Sequence, residues 1–416
     1  MKLSKGNFIT TRERITSESL SQQILLQSGQ LKRFGTGIYA KNNLIVKVQS
    51  NVENIIRNVM EKYDSVEVSM PLLQPKSLWE SSGRWEGYNV SGQMFYCEMN
   101  NGTYCMAPTA EEAVVEFVKN SIKSYKDLPI NIYQIGTKFR NELRARGGLL
   151  RSKEFTMMDS YSFHSSAESL NKEYLKMRQA YFEIFSKLGL ETIPVKALNG
   201  DMGGNYSEEF MCLSDCGEDV ILINEDHSLA FNSEILEIED AEEYLLKNYN
   251  IKDLSKFHKK SCIELGHIFQ LGQKYSNSMG GLFVDCKNSL TPYFMGCYGI
   301  GVSRVVATIC SNNCDENGLR WPLSIAPYHV YIVYTEHQFQ NANNLYNTLI
   351  ENGIKTILDD RKVTFGVKIK DAKLFGIPYL IIIGNSYNND NIFELENRLN
   401  GKKSLINLNQ LIATLK

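Results

Sequence analysis

The sequence predicts an α+β fold built on a largely antiparallel sheet, followed by a smaller α/β unit. Three observations carry that expectation. Strand-like stretches cluster with helices beside them instead of alternating strictly with them. Two prolines punctuate Trp321-Pro322-Leu323-Ser324-Ile325-Ala326-Pro327, and beyond them strands and helices do alternate. At 416 residues, 43% of them hydrophobic, the chain is long enough for two or three cores.

Each element has its own signal. Val52, Ile55, Ile56, Val59 and Met60 recur at helical spacing over 51–62. Val66-Glu67-Val68-Ser69-Met70 alternates like a strand and stops at Pro71. Thr109-Ala110-Glu111-Glu112 opens a helix running through Val115 and Val118, with Thr109 and Glu112 at capping-box spacing. Residues 131–139 and 156–163 read as the two arms of a hairpin. Leu170, Tyr174, Met177, Tyr181 and Phe185 mark a helix that Gly189 ends. Residues 225–260 are charged and read as helix-rich. In the tail, a strand at 330–333, a helix at 339–350, a strand at 354–358, a helix at 366–375 and an apolar strand at 379–383 follow one another.

Composition bounds the function. Forty-five basic residues against 47 acidic give a net charge of -2, so any basic surface is local. The first residues contain no apolar run of the kind a secretory signal needs, and no stretch approaches the ~20 apolar residues of a membrane span. Nine scattered cysteines read as reduced thiols, and cytoplasm is the expected location. Cys212 with Cys216, and Cys310 with Cys314, sit four apart but have no second ligand pair at zinc-finger spacing, so no metal cluster is expected. Cys297 has no histidine neighbour and reads as a small buried residue, not a nucleophile.

The chemistry is concentrated in two stretches. Phe139-Arg140-Asn141-Glu142 leads through a basic, glycine-containing loop to Arg151-Ser152-Lys153-Glu154-Phe155, and Gly299-Ile300-Gly301-Val302-Ser303-Arg304 lies far downstream. A carboxylate attacking the α-phosphate of ATP needs little proton transfer, because it is already ionised. It needs positive charge on the pentacoordinate phosphate and firm alignment of two anions. Arginine supplies both through its planar fork. Arg140 is the candidate clamp on the α-phosphate and Arg151 the candidate grip on the outer phosphates. Phe155 and Arg304 would sandwich the adenine by stacking and cation–π contact, and Glu142 would orient the base's amino group or the incoming hydroxyl. Singly, Arg140 with Glu142 reads better as a solvated cross-strand pair and Phe155 as core; the combined spacing, with Arg304 opening a later helix, favours function. The loop's Arg144, Arg146 and Arg151, opposed only by Glu142, suit phosphate and nucleic-acid contact.

These words resemble the second and third signatures of the class II aminoacyl-tRNA synthetases, and the strand ending at Pro71 resembles the first. Trp79-Glu80-Ser81-Ser82-Gly83-Arg84-Trp85, Ala107-Pro108-Thr109-Ala110-Glu111-Glu112, Ser160-Tyr161-Ser162-Phe163-His164, Gly266-His267-Ile268-Phe269-Gln270-Leu271-Gly272 and Asp359-Asp360-Arg361 narrow this to the bacterial-type prolyl branch. The resemblance implies a catalytic domain over 1–325, an anticodon-binding domain over 326–416, ATP and Mg2+ as cofactors, and L-proline and tRNA(Pro) as substrates. It implies that Thr109 and Glu111 hold the proline amine, that Arg140 orients its carboxylate, and that Met157, His164 and Cys297 line the pocket. Gln270 would touch ATP or its magnesium, and Asp360, Arg361 and Lys368 would read anticodon bases. The first signature implies a homodimer.

The sequence departs from that pattern in places. Only a short stretch, about 219–262, stands where the bacterial branch often inserts a domain that hydrolyses mischarged alanyl-tRNA, so no editing in cis is expected. Lys41-Asn42-Asn43-Leu44 replaces a proline-glycine turn, and Phe365 replaces the usual proline before Gly366. A class II synthetase for threonine, serine or glycine, and a catalytically dead RNA-binding relative, are the alternatives. Retention of Arg140, Arg151 and Arg304 argues against the latter.

Overall fold

A computed structural model describes every residue except 7–9, 12–14, 16, 18, 199–201, 203, 205, 227–228, 385–386, 388–391, 416 and the side chains of 248–249. The chain divides into two compact units, one of Glu53–Ala145 with Arg151–Val305, the other of Met1–Val52 with Arg146–Leu150 and Val306–Lys416.

The largest sheet of the first unit has nine strands: β1 (Val66–Glu67), β2 (Ile130–Phe139), β3 (Glu154–His164), β4 (Ile193–Lys196), β5 (Tyr206–Leu213), β6 (Asp219–Asn224), β7 (Ala230–Asn232), β8 (Phe257–Gly272) and β9 (Phe294–Ile300). Their order is β5-β4-β7-β6-β8-β9-β3-β2-β1, antiparallel throughout except for β1 beside β2 and a single pairing of β7 with β4. β5 also pairs with β8, so five strands close on themselves, with Val195, Met211, Ile221, Ile223, Ala230 and Cys262 as their apolar cluster. Residues 225–260, read as helix-rich, hold a 3-10 helix at Ser233–Glu237 and an α-helix at Ala241–Tyr249, flanked by β7 and the start of β8, which complete this ring.

Among the helices are α1 (Asn43–Lys62), α2 (Lys76–Ser82), α3 (Trp85–Val90), α4 (Glu111–Val118), α5 (Ala167–Lys187), α6 (Ala241–Tyr249) and α7 (Val302–Asn312). α1 starts earlier than its apolar stripe suggested, because the Asn42 carboxamide accepts from the backbone N–H groups of Leu44 and Ile45 at 2.9 and 3.3 Å. That cap does the work of the expected turn. α5 begins at the Ser166 cap and ends at Gly189, whose φ of 72° suits the left-handed exit. It buries Leu170, Tyr174, Met177, Tyr181 and Phe185 against the sheet, each contributing roughly 1.5–3 kcal/mol.

Two local readings are corrected. The strand expected over 66–70 is only two residues long, since the Val68 N–H still reaches Tyr133 O at 2.7 Å but the Met70 N–H turns to the Gln134 side chain at 2.9 Å. The capping box does not form: Ala110 is the N-cap of α4, and the Thr109 hydroxyl donates to Glu111 instead of accepting from the backbone. A buried carboxylate two residues away competes better for that hydroxyl than the helix start does.

In the second unit β10 (Val330–Tyr334), β11 (Thr356–Leu358) and β12 (Tyr379–Ile383) are parallel, and β13 (Ile392–Asn397) and β14 (Lys403–Asn407) add antiparallel, in the order β11-β10-β12-β13-β14. α8 (Phe339–Glu351), α9 (Phe365–Phe375) and α10 (Leu408–Leu415) accompany them. Val330 and Ile332 belong to one core cluster, Tyr331 and Val333 to another, so β10 is covered on both faces, as its unbroken apolar run requires. Phe365, the departure before Gly366, packs partly buried against the second cluster.

Candidate active site

The β2–β3 hairpin pairs Ile130 with Phe163 through Phe139 with Glu154, and the Arg140 N–H closes it on Lys153 O at 3.0 Å. Side chains of β3 alternate between faces. Ser160 and Ser162 bond Asn131 and Tyr298 on the side that α5 covers, while Asp159 and Tyr161 turn to the other side. The site lies on that second face.

At its outer end the guanidinium of Arg140 sits over the Phe155 ring, 5.4 Å from the centroid, and Arg140 Nε donates to Pro108 O at 3.2 Å. Arg151 Nε donates to Glu142 at 2.9 Å and Nη1 to Glu218 at 3.1 Å. The first turn of α7 is tied to the hairpin by the Thr156 N–H, which donates to the Ser303 hydroxyl at 2.9 Å. Arg304 Nη1 donates to both the backbone oxygen and the carboxylate of Glu264, each at 2.8 Å. Thus Arg140, Arg151, Phe155 and the Arg304 helix gather at one end of the hairpin. Gln270, on β8, donates to Asn171 at 3.1 Å on the exposed surface.

At its inner end Glu111 is fully buried. Its Oε2 accepts from the Thr109 hydroxyl at 2.6 Å and from Arg84 Nη1 at 3.0 Å, and its Oε1 accepts from the Cys297 thiol at 3.3 Å. Burial would raise its pKa, but the Arg84 guanidinium and then the Thr109 hydroxyl hold it below the usual carboxylate range. Burial, with Glu111 alongside, pushes the Cys297 thiol well up, so it stays a neutral lining group. A second network braces the start of α4: the Ala110 N–H donates to Tyr161 Oη at 3.2 Å, Tyr161 donates to Asp159 at 2.9 Å, and Lys138 pairs with Asp159 at 2.7 Å. Pairing Cys297 with Tyr161 in the β9–β3 ladder sets the thiol beside this turn.

The structure thus brings Thr109, Glu111 and Cys297 together, and Met157 lies on the Tyr161 side of β3 by the same alternation. His164 is not among them. Its Nδ1 bonds the Ser169 hydroxyl of α5 at 2.9 Å on the opposite face, and burial lowers its pKa to about 4. The tail candidates stand just beyond β11. Arg361 forks onto the buried Asp359 at 2.8 and 2.7 Å and reaches Asp371 at 3.0 Å. Lys368 is buried, donating to Asp359 O at 2.8 Å, and Asp360 accepts from Ser4 N–H and hydroxyl at 2.7 and 2.6 Å.

Sequence reasoning missed two groups. Arg84, inside the Trp79–Trp85 word, gave one signal: a lone arginine between tryptophans. Among the described residues, Glu209, Glu264 and His267 offer ligand atoms within 4.8 Å of one another. No spacing foretold that cluster, because β5 and β8 supply its parts separately.

Comparisons with known proteins bear on the family and the fold. Residues 94–313 match the family described as "tRNA synthetase class II core domain (G, H, P, S and T)", and 326–416 match "Anticodon binding domain". A proline–tRNA ligase of Rickettsia bellii is 38% identical over 400 residues, 94% of this chain and 92% of the relative; one of Rickettsia canadensis is 37% identical over 392 residues, covering 92% and 89%. Among solved structures, the prolyl-tRNA synthetase of Giardia lamblia in complex with prolyl-adenylate superposes with a TM-score of 0.77 at 20% identity, covering 98% of this chain and 78% of that one. The Cryptosporidium parvum enzyme complexed with halofuginone and AMPPNP gives 0.76 at 18%, covering 97% and 78%. At those identities the likeness is one of fold.

Proposed function

This chain belongs to the proline–tRNA ligase family of class II tRNA synthetases, and on that premise we propose how its residues divide the reaction. It is an aminoacyl-tRNA synthetase. A proline carboxylate oxygen bonds to the α-phosphorus of ATP as the bond to pyrophosphate breaks. The 3′-terminal ribose hydroxyl of tRNA(Pro) then takes the prolyl group, and AMP leaves.

The observation that carries the division is the contact of Arg140 Nε with Pro108 O at 3.2 Å. It sets the α-phosphate clamp one residue from the turn that holds Thr109 and Glu111. In this reading Glu111 and Thr109 take the secondary ammonium, Met157 and Cys297 border the ring, and Arg140 bridges the carboxylate and the α-phosphate. Arg151 leaves Glu142 and Glu218 for the outer phosphates, and Phe155 and Arg304 enclose the adenine. Gln270 bonds Asn171 of α5 and, across the ladder from Gly296 and Ser162, stands on the face away from the site, so it is left out. His164 is left out of the pocket.

Mg2+ fits the Glu209, Glu264 and His267 cluster. His267 Nε2 is buried without a hydrogen-bond partner among the described residues, and burial with Glu264 alongside pushes Glu209 up to about 8. Glu264 already has Arg304 at 2.8 Å, so it is Glu209 that a further cation would relieve, and two carboxylates with phosphate and water oxygens are what Mg2+ takes. When bound, the ion would neutralise triphosphate charge.

In the tail, Asp360 and Arg361 would face the anticodon, with Lys368 fixing the Asp359 backbone behind them. The chain acts as a cytoplasmic homodimer in this reading, which a sedimenting species of single-chain mass would contradict. No helix among the described residues is long and apolar enough to cross a membrane. The short 219–262 stretch supplies sheet strands, and no editing activity accompanies it. The test is ATP–pyrophosphate exchange across amino acids, paired with alanyl-tRNA deacylation. Proline-dependent exchange without deacylation is expected. Exchange driven by threonine, serine or glycine alone, or rapid clearance of alanyl-tRNA, would overturn the reading.

A further inference from the structure

Glu112 is a second carboxylate beside Glu111, and it too is fully buried. Adjacent residues on a helix point in different directions. Yet both converge on one nitrogen: Arg84 Nη1 lies 3.0 Å from Glu111 Oε2 and 3.2 Å from Glu112 Oε1. Arg84 is only 6% exposed and is boxed by aromatic rings, its guanidinium carbon 5.2 Å from the Trp79 centroid, 4.9 Å from Tyr88 and 5.3 Å from Tyr275. Its Nη2 donates to Tyr88 Oη at 2.8 Å, and its Nε is buried without a partner among the described residues. Glu112 also accepts from the Ser82 hydroxyl at 2.7 Å.

The charge count does not close. Two carboxylates face one guanidinium where water does not reach, and a buried unbalanced charge is costly. Burial, with Glu111 beside it, outweighs Arg84 and holds the Glu112 carboxyl above its usual range, as expected of a cluster lacking one cation. The geometry also says where the excess sits. Glu111 Oε2 is taken up by Thr109 and Arg84, whereas among the described residues Oε1 meets the Cys297 thiol, a weak donor.

We propose that Arg84 and Glu112 are positioning residues that set the charge of the amino-acid pocket, leaving one negative charge at Glu111 Oε1 as the counter-charge to a secondary ammonium. This rests on the assignment of Glu111 to the proline amine. Proline then completes a neutral quartet of two carboxylates, one guanidinium and one ammonium. With Glu112 neutralised, Arg84 would cancel Glu111 alone, and the pocket would lose its preference for a cation.

Glu112→Gln keeps the shape and removes the charge. The measurements are the proline and ATP KM values in pyrophosphate exchange, and inhibition by tetrahydrofuran-2-carboxylate, whose ring oxygen replaces the amine. The proline KM is expected to rise about tenfold with the ATP KM and the inhibition constant unchanged, the loss expected for one charged hydrogen bond. Glu112→Asp should recover most of it. An unchanged proline KM, or equal shifts for proline and the analogue that lacks the ammonium, would overturn the proposal, the second outcome marking a merely structural role. Absence of proline-dependent exchange in the unsubstituted chain would instead sink the proline assignment, and this inference with it.

Discussion

The two ends of the site answer their charges in opposite ways. At the nucleotide end Arg151 and Arg304 keep 40% and 32% of their side chains exposed, and their carboxylate partners are reachable by solvent. At the amino-acid end Arg84 and its two glutamates are sealed. Exposed pairs are worth about 0–1 kcal/mol, so guanidinium groups held this way can be handed to phosphates at little cost. Breaking a buried pair costs about 3–5 kcal/mol, so that end is set before any ligand arrives. The difference suits the task. On the proposed assignment, a flexible, heavily charged triphosphate would meet groups free to exchange partners, and a small rigid ring a cavity already set.

The contrast breaks most readily at Arg84. Arg84→Met should destabilise the fold by about 3–5 kcal/mol, since it strands two buried carboxylates. Urea denaturation that shows no loss would mean that the sealed end is not set in advance. Next comes Arg140→Ala, expected to lower kcat/KM for exchange about 10²–10³-fold, as for loss of one transition-state donor, with the urea midpoint hardly moved. A stability loss matching that at Arg84 would erase the distinction between the ends.

The smallest effect on activity is expected at His164, which sharpens the comparison by lying on neither end. His164→Asn should leave the proline KM unchanged, and a large rise would return this residue to the pocket. Its signature is pH dependence. Burial lowers the His164 pKa from 6.5 to about 4, so between those values the unfolded chain binds more protons than the folded one. Stability from this group is therefore complete above pH 6.5 and falls as the pH drops toward 4. The loss is about 3 kcal/mol at full titration, and His164→Asn should remove that slope from denaturation curves.

Legibility in the sequence followed the same division. The hairpin, α5 and the parallel strands of the tail were readable because each is local: period two, period 3.6, or an unbroken apolar run. The arginines of the nucleotide end were readable too, since Arg140, Arg151 and Phe155 sit on one hairpin and their spacing is their geometry. Strand parity misled at His164. Its word stands next to pocket residues in sequence, but a one-residue step in a strand moves a side chain to the other face. Thr109 misled for a related reason, because a cap and a substrate contact share one spacing.

The residues alone determined the chemistry on offer: the locally patterned helices and strands, and the arginines and aromatic ring presented at a hairpin mouth. Tertiary structure alone decided the balance of charge. Arg84 meets Glu111 and Glu112 across 27 and 28 residues, and Glu209 meets Glu264 across two strands that pair only in the folded sheet. Such meetings leave no period in the chain, because their energy comes from the exclusion of water, and water is excluded only once the distant parts have closed around them.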